Sequence, residues 1–218
     1  MDSLDAKSYR PICNLSVLSK LLERLVSKQL VKYLTDNRLL SDRQSAYRRF
    51  HSTETAVLRV QSDILMVLDY GDLAMLTLLD LSAAFDSVDH DTLLKQLQKS
   101  YGLDGVVVSW FISYLAGRTQ FVKSSASTSM PSAVLYGVPQ GSVLGPVLFL
   151  LYTADVLQLV KSHQLQPHAC ADDTQIYGFC KPSDVDTLQE RVSVCIEEVI
   201  SWMMANRLQL NPAKTEVL

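Results

Sequence analysis

His168–Phe179 reads HACADDTQIYGF, two short runs of strand-forming residues on either side of the acidic pair Asp172–Asp173. Such runs with a polar break between them predict two strands with the aspartates at the turn. Upstream, Leu73–Leu81 reads LAMLTLLDL, a near-continuous apolar run of strand length, as for a strand buried on both faces. Asp80 closes its apolar core. Adjacent carboxylates repel, and an acidic group next to an apolar run loses solvation, so the cluster needs something positive to hold. A pair of divalent metal ions is the natural candidate. If the two runs are neighbouring strands, three carboxylates converge on one spot, which is the arrangement that clamps metals around a phosphoryl transfer.

Outward from these runs, helical and strand periods interleave. Leucines at 18, 21, 22 and 25, then Val26, Leu30 and Leu34, give an apolar helix face over Leu15–Leu34, with Asn14 or Ser16 placed to cap it. Thr55–Leu68 returns to the helical period, and SDRQSAYRRFHSTETA before it reads as a loop or short hairpin. Helices are expected to end near Gly102 and Gly117, and another to start near Ser142. TQFVKSSASTSMPSAVLYGVPQG predicts two strands joined by a polar turn. Thr187 onward opens an amphipathic helix through Met203, and LQLNPAKTEVL predicts strand, turn, strand. Hairpins and crossovers together make the class α+β.

The chain has 218 residues, 48% of them hydrophobic, enough for a sizeable core and too apolar for a disordered tail. Residues 1–60 carry eleven Lys/Arg against six Asp/Glu, whereas the remainder carries nine against seventeen. A basic front and an acidic back suit a polyanion-binding part joined to a metal-binding part, although ordinary surface variation has the same look. Cys13, Cys170, Cys180 and Cys195 show no zinc spacing and read as reduced residues of an intracellular protein. The start, MDSLDAKSYRP, is too charged for a signal peptide. No charge falls between Lys123 and Asp155, but Gly and Pro break that stretch. Its unbroken apolar piece is far short of the roughly 20 residues of a spanning helix, so a buried helix and no membrane partner are expected.

Six blocks occur in a fixed order: Arg10-Pro-Ile, QSAYRRFHSTETA, LLDLSAAFDSVDH, GVPQGSVLGPVLF, ADDTQIY and NRLQLNPAKTEVL. In that order they resemble the reverse transcriptase domain of non-LTR, LINE-type retrotransposons of the chicken-repeat and Jockey-like clades, over Tyr9–Leu218. The resemblance implies the fingers and palm of a right-hand polymerase: fingers near 1–72 and 118–139, palm near 73–117 and 140–218, the palm an antiparallel sheet with packed helices. The family's thumb and endonuclease are expected to be absent. It implies RNA-directed DNA polymerisation by two-metal nucleotidyl transfer to a primer 3′-hydroxyl. Partners would be an RNA template, a DNA primer and deoxynucleoside triphosphates. Two Mg²⁺ ions would serve, with Mn²⁺ as a substitute, and the location would be nuclear or cytoplasmic.

By the same resemblance, Asp80, Asp172 and Asp173 would hold the metals, with the Leu81 carbonyl as a further ligand. Phe85 would crowd the sugar 2′-hydroxyl. Gln140 and Gly141 would lie at the nucleotide, Arg48 would grip the triphosphate, with Arg49 as the neighbouring alternative, and Arg10 would touch the template. Lys214 would protonate the leaving pyrophosphate. Each residue also has a plain structural reading: Asp80 as a helix cap, the Asp pair as an exposed turn, Lys214 as an exposed turn lysine. The sequence departs from the family at Cys170, where an aromatic residue is usual before Ala-Asp-Asp, and at Ala46 and Phe50. Cys170 and the expected absence of thumb and endonuclease favour a rival, a catalytically dead or domesticated remnant that at most binds nucleic acid. A second rival is an unrelated metal-dependent phosphohydrolase built on the same carboxylates.

Overall fold

A computed structural model describes residues 12–123 and 127–218, so Arg10 lies outside the described residues. The long apolar run forms β1 (Leu73–Leu79), and the strands around the acidic pair form β5 (Gln166–Cys170) and β6 (Asp173–Cys180). β1 and β6 pair antiparallel along all of β1, from Leu73↔Cys180 to Leu79↔Thr174. β5 pairs with β6, and β8 (Glu216–Val217) pairs with the free edge of β1. The result is a four-stranded antiparallel sheet in the order β5-β6-β1-β8.

Both faces of this sheet are covered, which explains why β1 is apolar at every position but Thr77 rather than alternating. Tyr177 donates its hydroxyl to Asp63 of α2 (Thr53–Asp69) at 2.7 Å. The next residue, Gly178, points the other way, as successive strand residues must. A Cβ there would meet Leu165 at 2.6 Å and Leu188 of α6 (Val185–Ala205) at 2.8 Å. Glycine at 178 therefore lets α6 lie close against the sheet.

The helix expected near Ser142 is α5 (Leu144–Ser162), and it runs through the core. Leu144, Leu148, Phe149 and Tyr152 are fully enclosed; α5 packs against β5, α6 and α3 (His90–Lys99), and α3 in turn against α4 (Gly105–Leu115). By length and composition alone α5 is long and apolar enough to cross a membrane, and 61% of its apolar window is buried inside the protein. Its start is held from a distance: Glu23 of α1 (Val17–Asp36) accepts from the Val143 and Leu144 N–H groups at 2.6 and 3.2 Å. Those are orphan donors at a positive helix end, where a carboxylate fits.

α1 departs from the expected face. Ser16 caps it, as one of the two proposed residues, and Leu30 and Leu34 are buried. Leu18, Leu21, Leu22 and Leu25 are exposed instead, because the register that brings Glu23 to α5 turns them outward. The pair expected after Arg118 is also reduced. β3 (Thr119–Gln120) and β4 (Ser132–Ala133) share two exposed residue pairs. Short strands β2 (Leu81–Ser82) and β7 (Gln209–Leu210) form a separate two-residue ladder.

Candidate active site

The β1–β6 register positions the acidic residues. Its last pair is Leu79↔Thr174, so Asp80 and Asp173 face each other one step beyond it. Both border an open cleft of about 430 Å³, together with Gln175, Lys214 and Glu216. The Asp173 carboxyl is pushed above the ordinary range, first by burial, then by the charges of Asp172 and Asp80, with Lys214 opposing. Those charges are therefore close enough to repel.

Asp172 is the second residue of the two-residue turn between β5 and β6. Ala171, the first, has φ of +60°, the left-handed backbone that tight hairpin turns need at this place. Asp172 borders a different, narrow cavity shared with Arg48, Gln44 and Leu81. The structure thus brings Asp80 and Asp173 to one cleft and places Asp172 and Leu81 beside its neighbour. Among the described residues, no three His, Cys, Asp or Glu side chains are gathered as a ready metal cage.

The residues present nevertheless fit magnesium. Mg²⁺ sites characteristically take one or two carboxylates and complete the shell with water and substrate phosphates. Asp80 and Asp173 are such a pair: hard oxygen donors, mutually repelling, on an open cleft. A cation already leans on them. Lys214 Nζ lies 3.4 Å from Asp80 Oδ2, and Asn211 Nδ2 donates to the same oxygen at 3.2 Å. Asn211 also donates its backbone N–H to the Asp80 carbonyl at 2.8 Å. Asn211 is absent from the sequence-based site, although its Asn-Pro turn marks the right place.

The proposed triphosphate grip has split. Arg48 donates to the Ser41 and Gln44 carbonyls at 2.6 and 3.2 Å and so braces its own loop. Arg49 is exposed, with its guanidinium stacked over the Phe50 ring at 4.6 Å. The loop carrying both lies along β5. Ser45 N–H donates to the Ala169 carbonyl, and Ala169 N–H to the Arg43 carbonyl. Gln44 Oε1 accepts from the Ala46 and Ala171 N–H groups, which ties the loop to the acidic turn. Buried His168 closes this contact through Ser45 Oγ at 3.0 Å. Burial, then the nearby charges of Arg59 and Arg43, press its pKa down to about 4.

Phe85 sits in a 3₁₀ turn, Ala84–Asp86, and stacks on Phe149 with ring centroids 4.5 Å apart. Gln140 reaches that turn and donates to Asp86 at 2.9 Å. A Cβ on Gly141 would meet Ile12 at 3.3 Å, so the close approach permitted there is used by the chain's own segment. Cys170, paired with Asp173 across the hairpin, is half-buried. Burial raises its thiol pKa, a hydrogen bond with Thr53 opposes, and Asp173 and Asp172 raise it further.

Residues 2–218 match the family model described as "Reverse transcriptase (RNA-dependent DNA polymerase)". The chain belongs to the reverse transcriptase family. This reverse transcriptase domain is 35% identical over 218 residues to "Probable RNA-directed DNA polymerase from transposon BS" of Drosophila melanogaster, covering 96% of the chain and 23% of that protein. It is 31% identical to "RNA-directed DNA polymerase from mobile element jockey" of Drosophila funebris, covering 91% of the chain and 22% of that protein. The reverse transcriptase domain thus spans less than a quarter of the length of these relatives. Its fold is similar to that of apo telomerase from Candida tropicalis truncated from its C-terminal domain, with TM-score 0.64, 17% identity, and 92% of this chain and 40% of that one covered.

Proposed function

We propose that this chain is the catalytic core of an RNA-directed DNA polymerase of a LINE-type retrotransposon. The observation that carries this reading is the convergence of Asp80, Asp173 and Lys214 on one cleft of a reverse transcriptase domain. In this reading the four-stranded sheet with α5 and α6 is the palm, near 73–117 and 140–218. The fingers are the described residues before 73 and those near 118–139. The partners are an RNA template, a DNA primer and deoxynucleoside triphosphates.

Asp80 and Asp173, with Asp172 at the turn and the Leu81 carbonyl nearby, would hold magnesium. When bound, the metal supplies charge neutralisation of the triphosphate and a lowered pKa for the primer 3′-hydroxyl. Lys214 stands within reach of the same cleft, placed to give a proton to departing pyrophosphate. Phe85 is fixed by its stack on Phe149, and a rigid ring is what a filter against a 2′-hydroxyl needs. Gln140 is oriented by Asp86, next to Phe85. Arg49, whose guanidinium makes no ion pair among the described residues, is better placed than Arg48 to meet phosphate.

Primer extension on an RNA template with Mg²⁺ or Mn²⁺ tests the reading. The chain should extend the primer, and Asp80→Asn should lose about a thousandfold, the scale of removing a main electrostatic contributor. Equal extension by Asp80→Asn would sink it. A second reading, a remnant that binds nucleic acid without polymerising, is favoured by Cys170 in the aromatic position. It predicts no extension by the chain, retained primer–template binding, and gain of extension in Cys170→Tyr.

A further inference from the structure

Phe85 and Gln140 sit on two segments that are stitched together through backbone, and a side chain from α3 closes the seam. Gly137 N–H donates to the Val88 carbonyl at 2.7 Å, and Val138 N–H to the Phe85 carbonyl at 2.8 Å. The segments touch. A Cβ on Gly137 would meet the Cα and carbonyl oxygen of Asp86 at 2.9 Å, and the backbone there is left-handed (φ +87°), so glycine alone fits. His90, the first residue of α3, reaches back to this point. Its Nε2 lies 2.8 Å from the Gly137 carbonyl, and a carbonyl only accepts, so Nε2 carries the proton and donates. The root of His90 is fixed in turn. Asp89 accepts the Thr92 N–H to cap α3, pairs with the Arg207 guanidinium at 3.0 Å, and donates its own N–H to the Tyr152 hydroxyl.

The Gly137 carbonyl and the Val138 N–H belong to one peptide group, which is planar and stiff. Holding its oxygen therefore aims its N–H, and that N–H holds Phe85. A hydrogen bond at one end of a peptide also polarises and strengthens the bond at the other. Phe85 needs such support. Its turn starts at Ala83, whose φ of +47° is a left-handed backbone that a side chain disfavours and that persists only where the surroundings impose it. We propose that His90 is a specificity-determining positioning residue: by clamping the Gly137–Val138 peptide it fixes the depth of the Phe85 ring, and with it the discrimination of deoxyribonucleotides from ribonucleotides. The proposal rests on the reading of Phe85 as the filter against a 2′-hydroxyl. His90 acts through one peptide on one ring, not on the substrate.

Two measurements on the full chain decide it. Hydrogen exchange of the Val138 amide, followed by nuclear magnetic resonance, reads the clamp without polymerisation. His90→Ala should exchange there about tenfold faster, the scale of one lost hydrogen bond. His90→Gln places an amide nitrogen near the Nε2 position and should restore protection. Primer extension on an RNA template, with dATP or ATP as the nucleotide, reads selection. The ratio of kcat/KM for the two nucleotides is blind to a loss of folded protein, since both are measured on one preparation. That ratio should fall about tenfold in His90→Ala, again by one hydrogen bond, stay near wild type in His90→Gln, and fall further in Phe85→Val. Unchanged Val138 exchange in His90→Ala would overturn the proposal, as would an unchanged ratio there beside a lowered ratio in Phe85→Val. An unchanged ratio in Phe85→Val would instead remove the reading of Phe85 as the filter, and absence of extension the polymerase reading; either takes the proposal with it.

Discussion

Glu23 and Asp80 are carboxylates set into apolar stretches, and the fold answers them differently. Glu23 is enclosed, 2% exposed, and is met by two backbone N–H groups at the start of α5. Asp80 borders a cleft and is met on one oxygen by side chains of a turn. Helix-end amides cannot be exchanged for anything else, so a carboxylate held by them is architecture. A lysine with 65% of its side chain exposed can yield to another cation, so a carboxylate held by it stays available. The partners, rather than the residue type, separate structural acid from chemical acid.

The sharpest break of this contrast comes from Asp80→Asn. Extension should fall about a thousandfold while stability changes by less than about 1 kcal/mol, because an exposed ion pair is worth little and repulsion with Asp173 is relieved. A large loss of stability, measured by urea titration, would make Asp80 architecture too. Next in size is Glu23→Ala, expected to cost about 3 kcal/mol by leaving buried donors unmet and a helix uncapped. Glu23→Gln keeps an acceptor and should cost clearly less in the same titration.

His168 extends the contrast to a buried base. With a folded pKa near 4 against about 6.5 unfolded, it must stay neutral to remain buried. Its contribution is full above about pH 6.5 and is lost as pH falls toward 4, a drop of about 3 kcal/mol. Denaturation midpoints across that window should show it, and His168→Asn should flatten it. The smallest effect is Asp173→Asn. Because the fold raises the Asp173 pKa, the ionised group opposes folding at neutral pH. The variant should melt slightly higher at pH 7, and that gain should vanish below the carboxylate range. A lower melting point at pH 7 would place Asp173 with Glu23.

Much of this was legible in sequence where periodicity is strong. β1, β5, β6, α2, α5 and α6 fall close to the stretches read from LAMLTLLDL, HACADDTQIYGF and the apolar helical patterns. The facing of Asp80 and Asp173 follows from the same two strands. Other features were hidden because they depend on partners distant in the chain. The outward turn of Leu18, Leu21, Leu22 and Leu25 follows from Glu23 reaching α5, and a helical pattern alone puts leucine inside. The hold of the Ser41 and Gln44 carbonyls on Arg48 is likewise invisible in sequence, where Arg48 and Arg49 look alike. The hold of Asn211 on Asp80 spans more than 130 residues, so the local Asn-Pro turn marks the place but not the partner.

The β1–β6 ladder has a consequence for how the molecule comes into being. Asp80 and Asp173 stand more than ninety residues apart, and the turn bearing Asn211 and Lys214 comes later still. Contacts of such long sequence separation carry a larger loop-closure cost than those of the local helices and the β5–β6 hairpin. On the ribosome, a nascent chain that has exposed everything up to α6 would own a core and a sheet but no complete cleft. The acidic site therefore depends on register: a chain with β1 shifted by one residue would turn Asp80 to the opposite face and never acquire it.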